Sequence, residues 1–282
     1  MTNRTAEPRT EGRNASPRAR AWACLLAALI QVAGPAAWAQ DSLPDSTQFA
    51  PDTGREVLPA PAMPIHVGES LRFSVQYGII KAGSAWLEVP EVVDWNGRPS
   101  WRLVARAESN GFFDKMYKVR NRIESVWDQE ERFSWRYFED RHEGGYTAND
   151  TLTFFPDSAQ VRYKDGRTYP IPPSVQDALS AFYFTRFQPL PLGGSVTFEY
   201  HASRKSVPLE VKILGRQRIK TPAGKFDCIV IEPMLKAGGI FKNKGRLVIW
   251  LTDDDRRIPV QMRSKVLIGS ISVTLQEAKM GT

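Results

Sequence analysis

Leu71, Phe73, Val75 and Tyr77 alternate with Arg72, Ser74 and Gln76. The same two-residue period recurs farther along the chain. Tyr117, Val119, Ile123 and Trp127 alternate with Lys118, Arg120, Arg122 and Glu124, and the apolar series Val207, Leu209, Val211, Ile213 and Ile271, Val273, Leu275 repeat it. A period of two with one polar face specifies antiparallel strands with one side in water. Turn chemistry separates them: WNGRP at Trp95–Pro99, DGR at Asp165–Arg167 and LGG at Leu192–Gly194. Phe226–Ile231 and Leu247–Leu251 are apolar on both faces and need cover on both sides. One segment can supply it. Ser174–Phe187 is bracketed by Pro172, Pro173, Pro189 and Pro191, with Ser174 as a helix N-cap and Asp177 completing an approximate capping box. Leu179, Phe182, Tyr183 and Phe187 form its bulky face. The expected fold is mainly β: one curved antiparallel sheet, a half-barrel or open barrel, partly wrapping a single helix.

The N-terminus sets the compartment. Arg4, Arg9, Arg13, Arg18 and Arg20 precede the apolar run Ala21–Val32, and Ala37-Trp38-Ala39 follows it. A basic region, a short apolar run and a small-x-small site specify a secretory signal peptide over 1–39, cleaved after Ala39. The run falls short of the ~20 residues of a membrane-spanning helix. Residues 40–65 are rich in proline and read as a flexible tether, and 66–281 form one β-rich domain. The formal charge of +7 includes five arginines and two glutamates of the signal segment, so the mature chain carries only +4. That mild balance gives no ground for a nucleic-acid partner. The mature chain keeps one cysteine, Cys228, so no intrachain disulfide supports the fold.

Catalytic and metal signatures are absent from the sequence. Asp253, Asp254 and Asp255 are consecutive, so they cannot all converge on one ion, and they suit a hairpin tip whose side chains bond the backbone. His66, His142 and His201 are scattered singly. No metal or cofactor is expected. The chain has no G-x-S-x-G, P-loop or dinucleotide motif. Glu139 and Asp140 are adjacent and face opposite sides of an extended strand, a poor arrangement for acid–base work.

Several segments together resemble a known family. They are the opening hairpin GESLRFSVQYGIIKAGSAWLEV (Gly68–Val89), a D-x-L-S-x-x-Y-x-x-R pattern at Asp177, Leu179, Ser180, Tyr183 and Arg186, the turn T-P-A-G-x-F at Thr221–Phe226, and IWLTDDDRRIPVQM followed by GSISVTL. In this order they resemble the bacterial envelope family called domain of unknown function 3108. The resemblance implies an envelope location and a curved sheet like those of periplasmic lipoprotein carriers and envelope-integrity proteins, with no assigned reaction.

The function expected is that of a periplasmic, non-catalytic β-domain in envelope maintenance, binding a lipid or other amphipathic ligand, or a protein partner. Phe182, Tyr183, Arg186 and Trp250 are its candidate ligand contacts. Arg186 either snorkels to the surface at the helix C-terminus or, if buried, takes a partner from the sheet. Lys118, Arg120 and Arg122 share one strand face beside Phe112, Phe113 and Met116, which makes them candidate membrane-surface contacts. Two alternatives stand beside this one. An enzyme acting on envelope polysaccharide or peptidoglycan needs two carboxylates converging in a groove, with Glu88, Glu108, Glu124, Glu139 and Asp140 to inspect. A protein–protein adaptor needs a large exposed aromatic patch.

Overall fold

The computed structural model describes residues 56–235, 246–265 and 269–281. The expected signal peptide, 1–39, and residues 40–55 of the expected tether lie outside them. A short β1 (Val57–Leu58) precedes a meander of β2 (Glu69–Tyr77), β3 (Ile80–Trp95), β4 (Arg98–Ser109), β5 (Val119–Asp128), β6 (Ser134–Glu143), β7 (Tyr146–Phe155), β8 (Gln160–Tyr163) and β9 (Thr168–Pro170). One turn of helix, α1 (Gly111–Asp114), joins β4 to β5. Helix α2 (Ala178–Arg186) follows β9, and β10 (Leu190–Pro191) pairs with β1. A second meander runs through β11 (Ser195–Ala202), β12 (Lys205–Thr221), β13 (Gly224–Leu235), β14 (Leu247–Thr252), β15 (Pro259–Lys265) and β16 (Ser270–Met280). β16 pairs antiparallel with β2, setting Val273 opposite Val75. The two meanders therefore fuse into one curved antiparallel sheet of fourteen strands, not closed into a barrel, with β9 and β11 as its edges.

The alternation sets which face is dry. Leu71, Phe73 and Val75 are buried while Arg72 is exposed, and Val119, Ile123 and Trp127 are buried while Arg122 is exposed. The polypeptide between the two edges blunts the open seam. Gln176 bridges β11 in parallel: its amide donates to the Glu199 carbonyl at 2.9 Å, and the His201 amide donates to its carbonyl at 2.8 Å. The Ser134 amide of β6 donates to the Val175 carbonyl at 3.3 Å. An edge covered in this way offers fewer free backbone groups to another chain.

Helix α2 starts later than its sequence suggests. Ser174 has a φ of 54°, the left-handed region, whereas an N-cap is extended. Asp177 is the cap instead: its carboxylate accepts the Leu179 and Ser180 amides at 2.8 Å, and the Ser180 hydroxyl accepts the Asp177 amide at 2.9 Å. The sheet completes the cap, because Ser125 donates to Asp177 at 2.6 Å and Ser134 accepts its amide at 3.0 Å. Residues 175 and 176 are taken up by strand-like pairing and so cannot join the helix. Leu179, Tyr183 and Phe187 are buried and Phe182 is half-buried. The helix packs on β4, β5 and β11. There Trp101, Trp127 and Phe187 stack with centroids 5.3–5.8 Å apart, and Phe184 meets Phe198 at 4.9 Å.

The two strands with double apolar faces are buried on both, from Cys228 to Ile231 and from Val248 to Leu251. Cover on the Trp250 face comes from the sheet rather than from α2. The Trp250 indole donates to Gln217 of β12 at 2.8 Å, and Arg263 of β15 lies over its ring. Burial pushes the Cys228 thiol up to about 12.

The tether boundary needs correction. Residues 56–65 are built into the domain: β1 pairs with β10, the Pro59 and Pro64 carbonyls accept from Arg257 and Arg186, and Ile65 is buried. Proline prevents regular structure here, but it leaves the carbonyls free to serve buried arginines. Asp253–Asp255 form the β14–β15 hairpin tip. Asp254 accepts the Thr252 hydroxyl at 2.7 Å and the Arg256 and Arg257 amides at 2.9 Å, and Asp253 pairs with Arg216 at 2.7 Å. Thr221–Gly224 is the tight β12–β13 turn, with Gly224 at φ 145°.

Candidate binding site

The four ligand contacts expected from sequence do not form one site. Arg186 is fully buried, so it does not snorkel. Its Nη1 and Nη2 donate to the two oxygens of Glu69 at 2.7 Å each, Nη2 also reaches the Pro64 and Arg256 carbonyls at 2.7 and 2.8 Å, and Nε reaches the Arg256 carbonyl at 3.1 Å. Its partner comes from the sheet, from the Glu of the opening G-E-x-L. Tyr183 lies beneath it with the guanidinium 5.4 Å from the ring, and burial pushes its phenol above the ordinary range. Trp250 sits apart, against Gln217. None of the four lines the cleft described next.

That cleft arises where the inner face of the sheet changes character. Along β5, β6 and β7 one stretch of the inner face is Trp127, Tyr137, Leu152 and Phe154, all buried and apolar in body, with Trp127 against Phe184 and Phe187. The same face continues toward the other end as Asn121, Glu139, Arg141, Glu143, Tyr146, Ala148 and Asp150. Arg141 and Glu143 are buried and joined at 2.7 Å, and Asn121 donates to Glu143 at 3.0 Å. Tyr137 donates to Glu139 at 3.1 Å, and Arg141 stands 3.8 Å from Glu139 and over the Tyr146 ring. Cross-strand register sets Glu139 directly opposite Asp150. Such pairs hold their Cβ atoms ~4.5–5.5 Å apart, and the Arg141 guanidinium offsets their like charge.

The opposite wall comes from the seam. Glu139, Tyr146, Ala148, Asn149 and Asp150 line a cleft of about 420 Å³ together with Lys164, Asp165 and Arg204, and Lys164 donates to Asn149. Arg204 bonds Asp165 at 2.6 Å and stacks on Tyr163 and Tyr169. The Arg167 amide, then nearby Arg167 and Arg204, hold the Asp165 carboxyl below the usual carboxylate range. Behind Arg204 the Tyr163 hydroxyl accepts its amide at 2.8 Å and meets His201 Nε2 at 2.9 Å, while Nδ1 meets Ser206. Burial lowers His201 to about 4, so the ring is neutral near pH 7. The carboxylates accept hydroxyl or ammonium donors, and the donors that Lys164 and Arg204 keep beyond Asn149 and Asp165 can serve an anionic group. Tyr146 adds a ring face.

Glu139 and Asp140, adjacent in sequence, diverge: Asp140 turns outward to His142 at 3.3 Å. The partner of Glu139 is Asp150, supplied by strand register. The readable signal was charge on both faces of β6, where one face should be apolar. Among the other carboxylates to inspect, Glu88 pairs with Arg106 at 3.0 Å and Glu124 with Arg102 and Arg122, while Glu108 is exposed. Among the described residues no group of His, Cys, Asp and Glu could hold a metal ion, and no helix is long and apolar enough to cross a membrane.

The cationic row is largely neutralised. Arg120 bonds Asp114 at 2.6 Å, Arg122 bonds Glu124 at 2.6 Å, and Lys118 is exposed. Hydrogen bonds from Arg120, then Ser109, hold the Asp114 carboxyl below the usual range. Phe113 is buried, whereas Phe112 and Met116 are exposed.

The model of the family described as protein of unknown function (DUF3108) matches residues 72–276. The chain belongs to this family. Glu69, which anchors Arg186, lies just ahead of the matched span. No curated protein matches this DUF3108 chain in sequence. Its fold is similar to that of a crystal structure from Brucella abortus, described as a β-barrel-like protein of domain of unknown function DUF1849. The two are 9% identical with a TM-score of 0.53, over 80% of this chain and 100% of that one. A "putative lipoprotein" from Parabacteroides distasonis aligns at 12% identity and a TM-score of 0.35, over 78% of this chain and 99% of that one. A "putative exported protein with YmcC-like fold" from Bacteroides fragilis aligns at 15% identity and a TM-score of 0.31, over the same shares.

Proposed function

We propose that this DUF3108 chain is a periplasmic, non-catalytic binding protein of the cell envelope, exported by a signal peptide over 1–39, that holds the polar end of an amphipathic envelope molecule at the mouth of its open barrel. One observation carries this: the inner face of the sheet is dry and aromatic where α2 fills it, and polar where it opens on the cleft of Glu139, Tyr146, Asp150, Lys164 and Arg204. The cleft falls within the ~300–1,000 Å³ of small-ligand sites, but those are mostly apolar, so its polar lining suits a headgroup rather than an acyl chain. The chain of residues from Glu139 to Arg204 bears charges of both signs, which suits a headgroup of hydroxyls with an anionic or zwitterionic centre. The test is extraction and mass spectrometry of the natively purified protein, with thermal-shift titration against envelope lipids and glycans. A Tm rise with one class, lost in Glu139→Gln/Asp150→Asn, supports the proposal. A protein that carries nothing and responds to no panel member overturns it.

A second reading, an enzyme on envelope polysaccharide or peptidoglycan, is favoured by one feature: Glu139 and Asp150 stand side by side in the cleft. Two carboxylates flanking a glycosidic bond are the usual apparatus of glycoside hydrolysis. Turnover of peptidoglycan fragments by the wild type and not by Glu139→Gln would favour it over simple binding.

A further inference from the structure

Four of the eight exposed large hydrophobic side chains among the described residues lie together at one end of the sheet: Ile79 at 84%, Ile80 at 46%, Phe112 at 64% and Met116 at 62%. Ile79 sits in the β2–β3 turn and Ile80 opens β3, while Phe112 and Met116 lie in the β4–β5 connection. The two connections are bonded to one another. The Asn110 amide donates to the Ala82 carbonyl at 2.8 Å, and its side chain donates to the Lys81 carbonyl at 2.6 Å. Asn110 also caps α1, accepting the Phe112 and Phe113 amides. Phe113 is turned inward as the anchor and Phe112 is presented outward. The tip is thus a braced ledge rather than a loose loop.

Its charge is one-sided. Lys81, Lys115 and Lys118 are exposed on the same two connections. The one acid between residues 78–81 and 110–118 is Asp114, which Arg120 and Ser109 engage. Four side chains of this exposure present about 400 Å² of apolar surface, half of the ~800 Å² per partner that a standard protein interface buries. Apolar side chains at hairpin ends, ringed by lysine, fit shallow insertion into the headgroup region of an anionic bilayer. We infer that Ile79, Ile80, Phe112 and Met116, with Lys81, Lys115 and Lys118, form a docking tip for an anionic membrane surface. In an up-and-down meander the turns after β2, β4, β6, β8 and β11 share one end. Docking therefore turns Tyr146, Lys164, Asp165 and Arg204 of the cleft toward the lipid headgroups. The docking surface itself is independent of what the cleft holds.

The test is sedimentation of the purified protein with vesicles of phosphatidylglycerol and phosphatidylethanolamine in equal parts, or of phosphatidylcholine alone, at low and high salt. The protein used lacks residues 1–39, because a basic segment with an apolar run would itself bind anionic vesicles and mask the tip. The wild type should sediment with the anionic vesicles and be released by salt. Ile79→Ser/Phe112→Ser/Met116→Ser should lose more than about tenfold in binding. Lys81→Gln/Lys115→Gln/Lys118→Gln should lose about fivefold per lysine, and with it the salt response. Unchanged circular dichroism and Tm would show that both variants are folded. A wild type that stays in the supernatant, equal binding to neutral vesicles, or an apolar variant that binds like wild type would overturn the inference. So would a concentration-dependent dimer that the serine variant abolishes, since the tip would then be a protein interface.

Discussion

Replacing Glu69 with Gln keeps the shape of the side chain and removes its charge from a site where both it and Arg186 have no solvent exposure. The Arg186 guanidinium is left with the Pro64 and Arg256 carbonyls and an amide that turns a donor toward it. Breaking a buried pair from one side costs ~3–5 kcal/mol, because the remaining charge is neither solvated nor compensated. Arg186→Met should cost about as much, since it strands the Glu69 carboxylate by the same logic. The combination Glu69→Leu/Arg186→Met leaves no charge, only two carbonyl acceptors that lose a partner. It should therefore be no less stable than either single variant, far from the sum of the two. Urea unfolding followed by tryptophan fluorescence reads this directly. With a slope of ~3 kcal/mol/M for a domain of this size, each single change should lower the midpoint by about 1–1.7 M. Singles that cost under ~1 kcal/mol, or a double variant equal to their sum, would refute the assignment of Glu69–Arg186 as a coupled buried pair.

Three further outcomes are expected. His201 has its pKa lowered from 6.5 to about 4 by burial, so the unfolded chain binds the extra proton between those values. Stability is fully present above pH 6.5 and falls by about 3 kcal/mol as pH drops to 4. His201→Gln should remove that part of the wild-type slope, and a pH profile parallel to wild type would refute it. A chain beginning at residue 66 should melt about 5–10 °C below one beginning at residue 56, because it loses β1 and the carbonyls that serve Arg257 and Arg186. Equal melting temperatures would mean that the segment rests on the domain without stabilising it. Asp254→Ala should cost about 1–2 kcal/mol, since three donors at the hairpin tip lose their acceptor. Asp255→Asn should stay within ~0.5 kcal/mol as an ordinary surface change, and equal costs at the two positions would undo the distinction.

The strands were legible because a half-wet sheet imposes period two, and Leu71 to Val75 or Val119 to Trp127 could satisfy it in no other way. The helix was legible in its apolar face but not in its start. Ser174 and Asp177 are both good caps, and only the hydroxyls of Ser125 and Ser134, which lie far away in the chain, favour Asp177. The need of a buried Arg186 for a sheet partner followed from charge, while the identity of that partner depended on β2 lying beneath the helix end. The cleft was the least legible part. Glu139 acquires Asp150 through β6–β7 register and Arg204 through the approach of two sheet edges, and neither juxtaposition leaves a local signature. The Pro-rich segment misleads because proline breaks regular structure yet still presents its carbonyl, as Pro59 and Pro64 do.

The pairing of β16 with β2 has a bearing on when the sheet can close. Each arm of the sheet is a run of neighbouring hairpins that can zip as it appears. The joint between the arms must wait for the last strand, and its loop-closure entropy is met before the ladder repays it. A thread crossing a membrane with its N-terminus leading therefore cannot complete the core while its end is still behind. On the export route proposed above, this topology delays locking of the sheet until the last strand has passed. Until that joint forms, β2 and β16 are open apolar edges, the condition under which chains aggregate and chaperones are needed.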